Sequence, residues 1–166
     1  IRLDDGTRVT LRPIRAADAQ IEQQFVRGLS DEARYFRFMD MLHELSPNML
    51  KQMTDIDYHN QMAFVAVATI DGRETEIAVA RYVAFPDNDH CEFAIVVGDD
   101  WQGKGIATAL MRLLIETARQ RGLKKMIGEV LSSNTKMLHF VAGLGFHAAM
   151  DPGDPTQMRV TKDLAP

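Results

Sequence analysis

The 166-residue sequence predicts a mixed α/β domain in which helices pack on a central sheet, and three observations carry that expectation. Short apolar runs of strand length alternate along the chain with helical segments of 3.6-residue periodicity. An Asp-Gly pair separates two of those runs as a hairpin turn would. One long helix opens directly behind a glycine-containing loop. No internal repeat, low-complexity tract or linker divides the chain, so a single domain over residues 1–166 is expected.

Taken in order, Thr7 to Leu11 alternates polar and apolar residues as a strand does, and Pro13 is expected to end it. Ile21, Phe25 and Leu29 recur every fourth residue and predict a helix, with Gly28 near its end. Ser30 begins a second helix, with Asp31 and Glu32 in the first turn, where the helix dipole favours acids. Ser46-Pro47 begins a third, a capping side chain followed by proline at the first helical position. Met62–Ile70 and Glu76–Phe85 flank Asp71-Gly72 and read as an antiparallel hairpin. Cys91–Val97 is a further strand. Gly103–Arg121 is the most regular helix, its stripe made by Ile106, Leu110, Leu113, Leu114 and Ala118, and Gly122 stops it. Lys124–Leu131 is a strand and Asn134–Gly143 a short helix. Phe146–Met150 and Gln157–Thr161 close the chain as strands around the turn-rich Asp-Pro-Gly-Asp-Pro.

The composition excludes several classes. Residues are 46% hydrophobic and 25% charged, the balance of a globular protein, and the net charge of −4 disfavours a nucleic-acid binder. Arg2, Arg8, Arg12 and Arg15 are interleaved with Asp4, Asp5 and Asp18, as on a solvated face. No apolar run approaches the roughly 18 residues that cross a bilayer, so no membrane partner is expected. No leader is visible, and the start at Ile1 rather than methionine fits a domain cut from a longer protein. The lone Cys91 cannot form an internal disulfide and fits a reducing cytoplasm. His43, His59, His90, His139 and His147 have no metal-ligand spacing, and no metal is expected.

The chemically informative stretch is Gly98 to Thr108, between a strand and the long helix. A loop there turns unpaired backbone N–H groups toward the helix N-terminus, where an anion is favoured. Gly103 and Gly105 remove the Cβ atoms that would hold a phosphate off the backbone. The alternative is an ordinary strand-to-helix turn. A P-loop fits Gly98, Gly103 and Lys104 but needs a Ser or Thr at 105, where glycine stands. A dinucleotide fingerprint needs a third glycine where Thr108 stands.

The pattern [QR]-x-x-G-x-[GA], by contrast, is met from Gln102 to Ala107. The segment resembles the acyl-CoA pyrophosphate loop of the GNAT superfamily of N-acetyltransferases. The strand before it, the strand after its helix, and Asn134 separated by ten residues from Gly145-Phe146 share that family's order and spacing. The resemblance covers essentially the whole chain and implies a mixed, mostly antiparallel sheet flanked by helices. More narrowly, DGTRVTLRPIRAADA, LSDEARYFRFMDML, MAFVAVA and CEFAIVVGDDWQGKGIATALM resemble the acetyltransferase domain of bacterial protein lysine acetyltransferases.

The resemblance implies acetyl-CoA as cosubstrate and an amine as acceptor, such as a protein lysine on an acyl-CoA synthetase. It assigns the backbone around Val96 and Val97 to the pantetheine arm and thioester carbonyl. It assigns Gln102, Gly103, Lys104, Gly105, Ile106, Ala107 and Thr108 to the pyrophosphate, with Lys104 either a phosphate partner or only solvated. Asn134 is expected to reach the cofactor arm, to cap the helix that begins there, or both. An alkyl amine arrives protonated at neutral pH, so transfer needs a base. Glu92, a carboxylate in an apolar strand where the closer family carries a glutamate, is the expected base, acting directly or through water. Strand alternation sets it on one face with Ala94 and Val96, opposite Cys91 and Phe93. Glu129 is a second candidate, and Cys91 is better read as a small buried side chain than as an acyl carrier. Many members place a tyrosine where Val141 stands, so the thiolate either leaves unassisted or is helped by another group such as His139 or a water. The acceptor wall is expected between Arg34 and Asn60, with Asp55, Asp57 and Tyr58 as contacts. A small-amine acetyltransferase and a non-catalytic acyl-CoA sensor are the alternatives.

Overall fold

The computed structural model describes residues 1–39 and 42–164. Asp40 and Met41, which fall inside the expected acceptor wall, lie outside the described residues, as do Ala165 and Pro166. A single sheet of seven strands runs in the order β1-β2-β3-β4-β5-β7-β6. Its strands are β1 (Thr10–Pro13), β2 (Gln61–Ile70), β3 (Arg73–Ala84), β4 (His90–Val97), β5 (Lys125–Leu131), β6 (His147–Asp151) and β7 (Asp154–Asp163). Among the described residues only β4 and β5 pair in parallel. The helices are α1 (Ala19–Gly28), α2 (Asp31–Phe38), α3 (Pro47–Thr54), α4 (Ile106–Gln120) and α5 (Thr135–Gly143). Among the described residues no helix is long and apolar enough to cross a membrane.

Local chemistry explains most boundaries. Ser30 Oγ accepts the Ala33 N–H at 3.1 Å and Ser46 Oγ the Met49 N–H at 3.2 Å, so both serines cap their helices. Asp71 and Gly72 both have positive φ, 51° and 75°, the requirement of a two-residue hairpin turn matched to strand twist. Several boundaries differ from expectation. The first strand starts at Thr10 and contains Pro13, which an edge strand tolerates because its outward N–H has no ladder partner to lose. α4 starts at Ile106 rather than Gly103, because Gly103 and Gly105 adopt φ of 75° and 87°, outside the helical region. The last strand begins at Asp154, inside the stretch expected to be a turn.

Alternation along the strands sorts the core onto two faces. Met62, Phe64, Ala66 and Ala68 of β2 pack with Ile106, Leu110, Met111 and Leu114 of α4. Ala63, Val65 and Val67 pack with Phe25, Val26 and Leu29 of the α1 side. Both faces of β2 are thus covered, and a continuous apolar run results.

β4 and β5 pair only at His90, Cys91 and Glu92, opposite Lys125, Met126 and Ile127, and then part. At the fork, Phe93 lies over Gly128 and packs at 5.1 Å, tilted, on Phe146. A Cβ at 128 would fall 2.4 Å from Phe93 Cε1. Gly128→Ala is therefore expected to cost about 1–3 kcal/mol through overpacking, read as a lower denaturant midpoint with unchanged slope.

Candidate active site

The fork between β4 and β5 exposes backbone. The Gly98 N–H donates to Ile77 O at 2.8 Å, just beyond the Ala78/Val97 pair. That bond makes Ala78/Val97 a non-hydrogen-bonded pair, so the N–H and C=O of Val97 point away from β3, to the side where β5 has departed. By the same alternation Ile95 points there too, whereas the backbone groups of Val96 belong to the β3 ladder. Val96's side chain is buried among the helices of the α1 face. Of the two expected contact positions, Val97 thus faces the fork with its backbone and Val96 does not. The Val97 carbonyl also accepts from Gln102 Nε2 at 3.3 Å, which ties the following loop back to the strand.

The loop itself is exposed from Gln102 to Gly105, and Ile106 anchors it in the core. No backbone N–H from Gln102 to Thr108 donates to an acceptor among the described residues. Space is open around the Cβ positions of Gly103 and Gly105. Free donors, a left-handed backbone and a fifteen-residue helix behind them form a cradle for an oxyanion. Lys104 is exposed within it. Asn134 Oδ1 accepts the Met137 N–H at 3.3 Å and so caps α5. Val141, in the position of the missing tyrosine, is a core residue at 1% exposure, and His139 is exposed on α5.

Glu92 stands at the last paired position before the fork, on the α1–α3 face, while Cys91 and Phe93 point into the α4 side. Its side chain reaches solvent, yet the surrounding walls strip enough water to push its pKa up, and the Glu129 carboxylate adds to that shift. Arg159 and Arg37 oppose it. Arg159, on β7 opposite Glu129, donates from Nε to Glu129 Oε1 at 2.9 Å. Arg37 of α2 is pushed down to about 10, chiefly by burial, and remains cationic at neutral pH. Cys91 is fully buried and its thiol is pushed up to about 12 by that burial, so it holds its proton.

Other expected contacts are occupied by the fold. Tyr58 donates its hydroxyl to Ile14 O, and Asp57 Oδ1 accepts the His59 N–H at 2.8 Å in a turn. Asp55 ends α3 through its backbone N–H, which donates to Lys51 O at 2.9 Å, and its side chain is exposed. Arg34 is buried with its guanidinium on the carbonyls of Val26, Arg27 and Leu29, closing the end of α1.

A buried ionic cluster escapes the sequence reading. Glu22 of α1 and Glu76 and Arg81 of β3 are 1%, 3% and 9% exposed, and Arg81 Nη2 lies 3.2 Å from Glu22 Oε2. Arg81 Nη1 also donates to Met53 O at 2.8 Å. Arg81 interrupts the apolar run Ile77–Val83, and that was the signal available in the sequence. Among the described residues, no group of three or more His, Cys, Asp or Glu could hold a metal ion.

Residues 26–146 match the Acetyltransferase (GNAT) family. The chain is 42% identical over 156 residues to Acetyltransferase PA5475 of Pseudomonas aeruginosa, covering 94% of this chain and 84% of that protein. It is 31% identical to Acetyltransferase Pat of Mycolicibacterium smegmatis over 87% of this chain, which spans 43% of that protein. The solved GNAT domain of S. lividans PAT superposes with a TM-score of 0.87 at 30% identity, covering 98% of this chain and 94% of that one. The chain belongs to the acetyltransferase (GNAT) family and is an acyl-CoA-dependent N-acetyltransferase.

Proposed function

We propose that the chain transfers the acetyl group of acetyl-CoA to the Nζ of a protein lysine by direct attack in a ternary complex. The observation that carries this reading is the placement of Glu92 at the mouth of the β4–β5 fork, with its pKa raised. The likeness to two PAT-type acetyltransferases supports a protein acceptor. Acetyl-CoA supplies an activated thioester. The backbone of Val97 and Ile95 receives its arm along the open edge of β4. The free N–H groups of the loop, with Gly103 and Gly105 giving backbone access, hold its pyrophosphate, and Lys104 adds charge. Glu92 takes a proton from the incoming ammonium, directly or through water, so that the nitrogen lone pair can attack the thioester carbon. The new C–N bond forms as the C–S bond breaks, the second proton of the nitrogen passes to the departing thiolate directly or through solvent, and with Val141 in the core the sulfur leaves without a tyrosine's help. The lone, buried Cys91 supports a reducing cytoplasm as the compartment of the reaction.

Release of coenzyme A thiol decides the acceptor. The expected outcome is turnover with lysine-bearing proteins, an acyl-CoA synthetase among them, and little with a panel of small amines. Turnover confined to small amines would overturn the protein-lysine reading. Acetyl-CoA binding without any turnover would make the domain a sensor. The loop is tested separately by Gly105→Ala. Left-handed backbone costs a non-glycine residue about 1–2 kcal/mol, so coenzyme A affinity is expected to fall roughly tenfold by calorimetry.

A further inference from the structure

Glu129 occupies an unusual position for a strand carboxylate. It follows Ile127, the ladder partner of Glu92, by two residues on β5. The two carboxylates therefore rise from the same face of adjacent strands, one on each side of the fork. Glu129 Oε1 is held by Arg159 Nε at 2.9 Å, across the paired positions of β5 and β7. Glu129 Oε2 is shielded from solvent and has no hydrogen-bond partner among the described residues. A buried carboxylate oxygen without a donor is costly, and in a working site it marks a place where a proton arrives.

We propose that Glu129, anchored by Arg159, is a positioning residue whose free oxygen accepts the O–H that Glu92 acquires when it takes the amine's proton. This rests on the assignment of Glu92 as base. The proton moves from the acceptor nitrogen to a Glu92 oxygen, and the resulting carboxylic acid donates to Glu129 Oε2 until it releases the proton to solvent. Arg159 Nε holds the other Glu129 oxygen at 2.9 Å throughout. In the resting state burial first, and the like charge of Glu129 second, keep Glu92 basic. The other charged groups bearing on this face are Arg37 of α2, Arg81 of β3, Glu22 of α1 and Asp151 of β6, the last through Arg159.

The test is a carbon-13 titration of the glutamate carboxyls in the intact chain, with the Glu92 resonance identified by its loss in Glu92→Gln. Glu129→Gln is expected to lower the Glu92 midpoint by about half a pH unit or more, because a like charge is removed. Arg159→Met is expected to raise it, because a cation is removed while Glu129 stays. The acid limb of the thiol-release profile should move with the midpoint in each variant. A merely structural role would reduce turnover in both variants without opposite displacements. An unmoved Glu92 midpoint in folded Glu129→Gln, or displacement in the same direction in both variants, would overturn the proposal. If Glu92→Gln retained turnover, the base assignment itself would fall, a result read independently of the titration.

Discussion

Glu92→Gln is expected to lower turnover about 10²–10⁴-fold while coenzyme A affinity stays within about twofold. Glutamine keeps the shape and one carbonyl oxygen of the side chain but cannot take a proton. The cofactor contacts proposed for Val97 and for the loop after it are backbone contacts and do not involve this side chain. The pH dependence gives the sign. A base works only when deprotonated, so the acid limb of kcat/KM lies at the folded pKa of Glu92, which burial and Glu129 raise above 4.5. Activity therefore rises with pH through that raised value in the native protein. In the glutamine variant the limb attributable to residue 92 disappears. Unaltered turnover in a folded Glu92→Gln protein would remove the carboxylate from the chemistry and leave a water or the solvent as the proton acceptor.

The second large effect is on stability. Arg81→Met is expected to cost about 3–5 kcal/mol at neutral pH, because it leaves two buried carboxyl groups without their cation. Glu76 is pushed well above the usual carboxylate range, first by burial and then by Glu22, and Glu22 is also raised, chiefly by burial. Both Glu76 carboxyl oxygens are buried without a hydrogen-bond partner among the described residues, so burial beside Glu22 favours the protonated form of Glu76, and Arg81 balances the charge of Glu22. Carboxyls whose folded pKa is raised bind protons more tightly in the native state than in the unfolded chain. Their contribution is complete below the unfolded value near 4.5 and is lost as pH rises through the folded one. The penalty of Arg81→Met should accordingly grow in denaturant titrations as pH rises above the unfolded carboxyl value. Glu76→Gln is neutral at every pH and should flatten the alkaline loss of stability in the native background. A penalty independent of pH would place the cost in lost packing of the arginine stem instead.

The elements were legible in the sequence because each is signalled within a few residues. Ser30 and Ser46 cap through their own hydroxyls, Asp71-Gly72 tolerates positive φ at both positions, and the α4 stripe repeats with the helix. The glycine loop was legible for the same reason. Its register was less so: the start of α4 slipped from Gly103 to Ile106 because Gly103 and Gly105 take left-handed backbone, which composition alone does not place.

What the sequence determined by itself is therefore local: strand and helix identities, the glycine loop, and the side of β4 on which Glu92 lies, since alternation of side chains is a property of one strand. What only the tertiary structure decided is long-range. β7 inserts between β5 and β6 and brings Arg159 onto Glu129, a partnership of residues 30 positions apart. β4 and β5 part after Glu92, which decides that Val97 rather than Val96 offers its backbone. The register between β2 and β3 shifts where Ala66 opposes Ala78 and Val67 opposes Glu76, so Ile77 is an extra residue. A single-residue bulge inverts the facing of all that precedes it in the strand. It turns Glu76 inward under α1 to meet Glu22 and Arg81. A bulge has no strong composition of its own, because its energy lies in the pairing of two strands and in the Gly98 N–H that takes the Ile77 carbonyl.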